Sequence, residues 1–117
     1  MIKRLDSNDR MSQIVLHKDM VYLSGQTAGS PDTDIGAQTQ TCLAKISELL
    51  AEADTDPDHI VSTLIHISDM TDFAAMNAVW DRWFQDRPKP ARTCVEAKMA
   101  RPEVLVEMTV VAAIPNN

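Results

Sequence analysis

Residues 90–114 read PARTCVEAKMARPEVLVEMTVVAAI, and this stretch decides the expected fold. Residues 91–97 and 104–114 are rich in β-branched and apolar side chains, which predicts two strands joined by a connection. The second strand is apolar at both parities: Val104, Val106, Met108 and Val110 on one side, Leu105, Val111 and Ala113 on the other. A strand that is apolar on both faces is usually central and covered twice.

The rest of the chain predicts four more strands and two helices. In order they are strands at 2–5, 12–17 and 20–24, a loop at 30–32, a helix at 34–53 capped by Thr33 or Asp34, a strand at 60–68 and a helix at 71–84. The inner face of the second helix is predicted to be Phe73, Met76, Trp80, Trp83 and Phe84. Each helix has one apolar stripe, so both can cover one face of a single sheet. No residues remain for the other face, and we therefore expect a homo-oligomer.

Length and charge restrict the classes of function. A chain of 117 residues suggests one domain, 1–117, and a net charge of −6 argues against a nucleic-acid partner. No apolar stretch is long enough for a membrane span, and Lys3, Arg4 and Asp6 interrupt any signal peptide. Cys42 and Cys94 form neither a CxxC pair nor a metal spacing, which favours a reduced, cytoplasmic protein without a metal.

Arg92 and Glu107 are charges inside two segments that otherwise favour burial. A buried charge needs a partner or must lose its charge. One interpretation is a structural ion pair, within one chain or across a subunit boundary. The other is an anion site, in which the planar fork of the arginine binds a carboxylate and the glutamate holds a water or moves a proton.

Other candidate residues have simple structural explanations when each is taken alone. Asn77 is expected to bond a loop backbone, Ser24 to be a strand-end hydroxyl, and His66 to be a hydrogen-bonded structural residue rather than a ligand. No histidine lies near Cys94 in the sequence, which argues against a cysteine nucleophile. The three histidines lack metal-ligand spacing.

The segments PARTCVEA and VLVEMTVVA resemble the signature of the RidA/YjgF family, the reactive-intermediate deaminases. Supporting matches are Ser12-Gln13, the run LSGQ at 23–26, Met76-Asn77 and Trp80. The resemblance implies an α+β, chorismate-mutase-like fold: a single mixed sheet with two helices on one face. It also implies a homotrimer whose other sheet faces form a central barrel, with ligand sites in the clefts between subunits.

The resemblance further implies a hydrolase that converts 2-imino or enamino acids, such as 2-iminobutanoate or 2-iminopropanoate, to 2-oxo acids and ammonia without a cofactor. Arg92 would bind the substrate carboxylate and Glu107 would position the attacking water. Cys94 would line the pocket through its backbone, Asn77 and Ser24 would make polar contacts, and Gly25 would allow close approach.

One position in the substrate pocket departs from the family pattern. Met11 stands where typical deaminases carry a tyrosine, so the hydroxyl of that tyrosine is missing. This departure leaves open a non-catalytic module that binds small carboxylates such as 2-oxo acids. Nuclease or translation-inhibitor activity, ascribed to some relatives, does not fit the negative charge.

Overall fold

The computed structural model describes residues 1–29 and 34–115, so the predicted 30–32 loop and the alternative cap Thr33 lie outside the described residues. The strands are β1 (Ile2–Ser7), β2 (Ser12–His17), β3 (Met20–Leu23), β4 (Ile60–Ile67), β5 (Ala91–Glu96) and β6 (Val106–Ala113). The helices are α1 (Ile35–Glu52) and α2 (Phe73–Trp83), and short 3-10 turns occupy Pro57–His59 and Met70–Asp72. Every predicted element is present, with ends that differ by a few residues.

The six described strands form one mixed sheet in the order β1-β2-β3-β6-β4-β5. Only β4 and β5 run parallel, and α2 lies in the connection between them, as parallel neighbours require. The last strand, β6, inserts between β3 and β4, so the strand predicted to be central from its apolar parity is central.

The core lies between one face of the sheet and the two helices. On β6 the buried side chains alternate with half-buried ones, and the buried set is Val106, Met108, Val110 and Ala112. The stripe of α1 that packs against them is Ile35, Cys42, Leu43, Ile46 and Leu50. The predicted α+β fold, a single mixed sheet with two helices on one face, is confirmed.

Side-chain hydrogen bonds and aromatic packing hold the helices in place. Asp34 caps α1, because its Oδ1 accepts a hydrogen bond from the Ala37 N–H at 2.8 Å. The rings of Trp80 and Phe84 are 4.3 Å apart and close the core under α2. The prediction that Phe73 belongs to the buried inner face was wrong: as the first residue of α2, it is 36% exposed and lies outside the core.

The other face of the sheet, here called the outer face, carries the side chains that alternate with the core residues. On it Tyr22, Leu64 and Val95 are 43%, 39% and 41% exposed, beside the half-buried Val111. The exposure of these apolar side chains agrees with the sequence-based inference that the helices leave one face of the sheet uncovered. Within residues 1–29 and 34–115, no helix has the length and apolarity needed to cross a membrane.

Candidate active site in two halves

Arg92 lies on the edge strand β5 and points to the helix-covered side of the sheet. Its register neighbour on β4 is Thr63, which is buried and shares its face. One guanidinium nitrogen, Nη1, donates a hydrogen bond to Asn77 Oδ1 at 2.7 Å. The guanidinium carbon lies 5.1 Å from the centre of the Trp80 ring and 5.7 Å from that of Phe73. Thus α2 holds this cation with one neutral oxygen and two aromatic rings.

No carboxylate of the described chain neutralises Arg92. The ion pairs found in residues 1–29 and 34–115 are His59–Asp56, Arg87–Asp58 and Arg101–Glu103, and none involves Arg92. The hypothesis of an ion pair between Arg92 and Glu107 within one chain is therefore wrong. The expectation that Asn77 bonds a loop backbone is also wrong, since its oxygen accepts from Arg92.

Glu107 lies on the outer face, away from Arg92. Its neighbours in sequence, Val106 and Met108, are buried toward the helices, and its cross-strand neighbour is His66 on β4. Because successive strand residues point to opposite faces, Arg92 and Glu107 are separated by the sheet itself. One copy of the chain cannot present both to the same small molecule.

Gly25 leaves room for the carboxyl group of Glu107. The backbone of Gln26 exchanges two hydrogen bonds with that of Met108, at 2.8 and 3.0 Å, which holds this segment beside β6. A Cβ at Gly25 would lie 2.8 Å from Glu107 Cδ and 2.9 Å from Oε2, distances that real Cβ atoms essentially never show. The close approach expected at Gly25 is therefore an approach to Glu107.

A cavity of about 470 Å³ opens beside Glu107 on the outer face. The polar and charged side chains that line it are Thr27, His66, Lys98, Arg101 and Glu107. Arg92 instead lines a smaller cavity of about 180 Å³, together with Thr63 and Leu64. The residues predicted to form the site thus lie in two separate groups, an arginine half and a glutamate half.

Three further predicted site residues occupy different environments. Ser24 donates its hydroxyl hydrogen to the Ser12 carbonyl at 2.6 Å, so it also serves as a structural strand-end hydroxyl. Met11 is 39% exposed beside the start of β2. Burial raises the pKa of Cys94, and the nearby positive charge of Arg92 offsets this only in part. A thiol with a raised pKa is a poor nucleophile at neutral pH, which agrees with a lining role.

Sequence reasoning missed one polar group near these halves, Thr63, and gave another, His66, a structural role. Thr63 Oγ1, next to Arg92, and His66 Nδ1, next to Glu107, are buried without a hydrogen-bond partner in the described chain. The expectation that His66 is a hydrogen-bonded structural residue is therefore wrong. From the sequence, Thr63 and His66 were recognisable only as members of a buried strand. Their neighbours on β5 and β6 depend on the strand register, which the sequence does not give. The described residues contain no cluster of three His, Cys, Asp or Glu that could hold a metal.

Comparisons with known proteins place this architecture in one family. The family model described as Endoribonuclease L-PSP matches residues 1–114. A RutC family protein of Haemophilus ducreyi is 33% identical over 114 residues, covering 97% of each chain. The RutC family protein YoaB of Escherichia coli K12 is 34% identical over 113 residues, covering 97% of this chain and 98% of its own. These names specify no reaction.

Solved structures agree with the sequence matches. NMB1025 of Neisseria meningitidis, a member of the YjgF protein family, is 37% identical with a TM-score of 0.95, covering 100% of this chain and 98% of its own. An uncharacterized protein from Pseudomonas aeruginosa is also 37% identical, with a TM-score of 0.93 and coverage of 97% and 98%. The chain therefore belongs to the RidA/YjgF family, also named endoribonuclease L-PSP or RutC, as residues 90–114 indicated.

Proposed function

We propose that this protein hydrolyses reactive 2-imino or enamino acids to 2-oxo acids and ammonia, in sites formed between copies of the chain. The observation that carries the proposal is Arg92: a cation held in place by a neutral amide, with no carboxylate of residues 1–29 or 34–115 paired with it. Such a group is prepared to receive an anion from outside the chain.

Arg92 would bind the substrate carboxylate. A guanidinium offers five N–H donors in a planar fork, and Asn77 engages only Nη1. A carboxylate can accept two parallel hydrogen bonds from such a fork. The two aromatic rings and the buried Thr63 remove water from one side of the guanidinium, which strengthens its attraction for the anion. Substrates without a carboxylate are expected to bind poorly.

Glu107 would hold and deprotonate the attacking water. Protonated imines already react with water, so orienting one water molecule and accepting its proton can account for the acceleration. The Glu107 carboxyl group is confined by Gly25 on one side and faces the cavity of about 470 Å³, which can receive a small imino acid. This chemistry needs no metal and no organic cofactor.

The two halves would meet when a second copy covers the outer face. Arg92 on the edge strand β5 of one copy would then lie next to Glu107 on the outer face of another. The exposed side chains of Tyr22, Leu64 and Val95 supply apolar area for that contact. By analogy with the family, we propose a homotrimer in which the outer faces form a central barrel.

The proposal is tested with 2-iminopropanoate and 2-iminobutanoate generated by an amino-acid oxidase and trapped with semicarbazide. The wild-type protein should remove both imines faster than Arg92→Ala does. Arg82→Ala, which removes an exposed arginine from the last turn of α2, is the matched control and should behave as wild type. If Arg92→Ala and the wild type remove both imines at equal rates, the proposed function is wrong for these substrates.

Met11 supports a second candidate, a module that binds small carboxylates in the same clefts without turnover. The side chain is exposed and has no hydroxyl to contact substrate or water. Calorimetry with 2-oxobutanoate separates the two candidates: tight binding to a protein that turns over no imine favours the module. Absence of binding excludes it.

The family's ribonuclease name suggests a third activity, which the charge disfavours. A net charge of −6 repels a phosphate backbone, whose binding depends on lysine and arginine contacts. Cleavage of RNA by highly purified protein, lost in Arg92→Ala, would favour the ribonuclease.

A further inference from the structure

The imidazole of His66 is a half-buried polar group that the proposed function does not yet use. Its Nδ1 atom is shielded from solvent and has no hydrogen-bond partner in the described part of the chain. Leaving such an atom unpaired costs free energy that an apolar ring of similar size would not cost. A histidine that only fills space is therefore a poor choice at this position.

The placement of His66 relative to Glu107 is specific. The two residues are direct cross-strand neighbours on β4 and β6, and both line the cavity of about 470 Å³. Directly opposed residues of an antiparallel pair have Cβ atoms about 4.5–5.5 Å apart. Both side chains can therefore contact the same small molecule in that cavity.

The other charged groups at this cavity come from the connection between β5 and β6. Arg101 is engaged with Glu103, at 3.5 Å between Nε and Oε1, and Lys98 is exposed without an ion-pair partner in the described residues. From β5, the register neighbour of His66 is the uncharged Val95. Glu107 is therefore the charged residue paired directly with His66 in the sheet.

We propose that His66 is a catalytic acid of this site, which protonates the departing nitrogen while Glu107 takes the proton of the water. This inference rests on the proposed imine hydrolysis. It assigns deprotonation of the water to Glu107 and protonation of the leaving nitrogen to His66, two side chains of one cavity. Binding of the carboxylate is left to Arg92.

The steps balance as follows. The oxygen of water forms a bond to the carbon of the protonated imine, the π pair of the C=N bond moves to nitrogen, and Glu107 takes one water proton. The product is a neutral carbinolamine. The imidazolium of His66 then protonates its nitrogen, and the C–N bond breaks with its electron pair on nitrogen to release ammonia. An oxygen lone pair forms the C=O bond, the hydroxyl proton returns to the imidazole, and Glu107 releases its proton to solvent.

The test compares His66→Gln with His59→Gln in the imine assay over a range of pH. Glutamine is polar but cannot carry the proton. His59 lies in the 3-10 turn that precedes β4, bonded to Asp56 at 2.8 Å, at the opposite end of the strand from His66 and outside the cavity lining, so it is the matched control. We expect kcat of His66→Gln to fall about 10²-fold, the lower end for positioned proton transfer, with KM little changed. The alkaline limb of the kcat profile, where an imidazolium loses its proton, should disappear in this variant alone.

Chemical rescue provides a second variant. His66→Ala leaves space for a ring, and free imidazole should restore part of its turnover without affecting the wild type or His59→Gln. A loss of kcat with the alkaline limb intact and no rescue by imidazole would show a structural role and overturn the inference. Wild-type turnover in His66→Gln would overturn it too, leaving the proposed function in place. A wild-type protein no faster than Arg92→Ala would overturn both.

Discussion

Arg92 and Glu107 project from opposite faces of the sheet, so the proposed site would have to draw them from two copies of the chain. This predicts that two inactive variants restore each other. Arg92→Ala and Glu107→Gln, each with little activity alone, should regain turnover when they are unfolded together and reassembled as mixed oligomers.

The size of the recovery follows from the geometry. In an equal mixture, a site works only if its arginine comes from a Glu107→Gln chain and its glutamate from an Arg92→Ala chain. Each condition holds for half of the chains, so about one quarter of the sites are complete after random assembly. A site contained in one chain would give no recovery at all.

The assay is imine hydrolysis by the mixed oligomers, with light scattering to confirm assembly. The matched control mixes wild type with the double variant Arg92→Ala/Glu107→Gln. Sites between copies give about one quarter of wild-type activity in both mixtures, whereas sites within a chain give none in the first and about one half in the second. The second pattern, or a purely monomeric protein at micromolar concentration, would refute the reasoning.

Three further substitutions test single contacts. Gly25→Ala should lower kcat by about 10²-fold with little change in Tm, because the new methyl group would displace the flexible Glu107 carboxyl group, 2.8 Å away at Cδ, rather than backbone. Asn77→Asp should abolish binding of 2-oxobutanoate in calorimetry, because its carboxylate would neutralise Arg92 across the present 2.7 Å hydrogen bond. Burial raises the pKa of Cys42 from 9.0 to about 12, so between these two pH values the unfolded chain loses this proton and the folded chain keeps it. The free energy of unfolding should then fall by roughly 1.4 kcal/mol per pH unit from this thiol, and Cys42→Ala should lack that part of the slope in urea titrations.

Each of these predictions has a result that contradicts it. A Gly25→Ala protein with wild-type kcat would mean that the position of the Glu107 carboxyl group does not matter. Unchanged affinity in Asn77→Asp would mean that Arg92 does not bind the carboxylate. Equal alkaline slopes in wild type and Cys42→Ala would assign the loss of stability to other groups.

Local patterns in the sequence were sufficient for the elements and for the family. The apolar stripes of α1 and α2 and the alternation in the strands depend only on side-chain spacing along the chain. The double-sided apolar pattern of β6 even predicted its central place, which the order of strands confirms. Arg92 and Glu107 were found for the same reason: a charge in an apolar strand is visible without knowledge of its neighbours.

Only the tertiary structure decided what those charges face. β6 is the last strand in the chain but pairs with β3 and β4, and this long-range register opposes His66 to Glu107 and sets Thr63 beside Arg92. A slip of one residue would send each side chain to the other face of the sheet, so sequence spacing alone cannot say which groups share a cavity. The separation of Arg92 from Glu107 within one chain, on which the proposal of sites between copies depends, follows from that register.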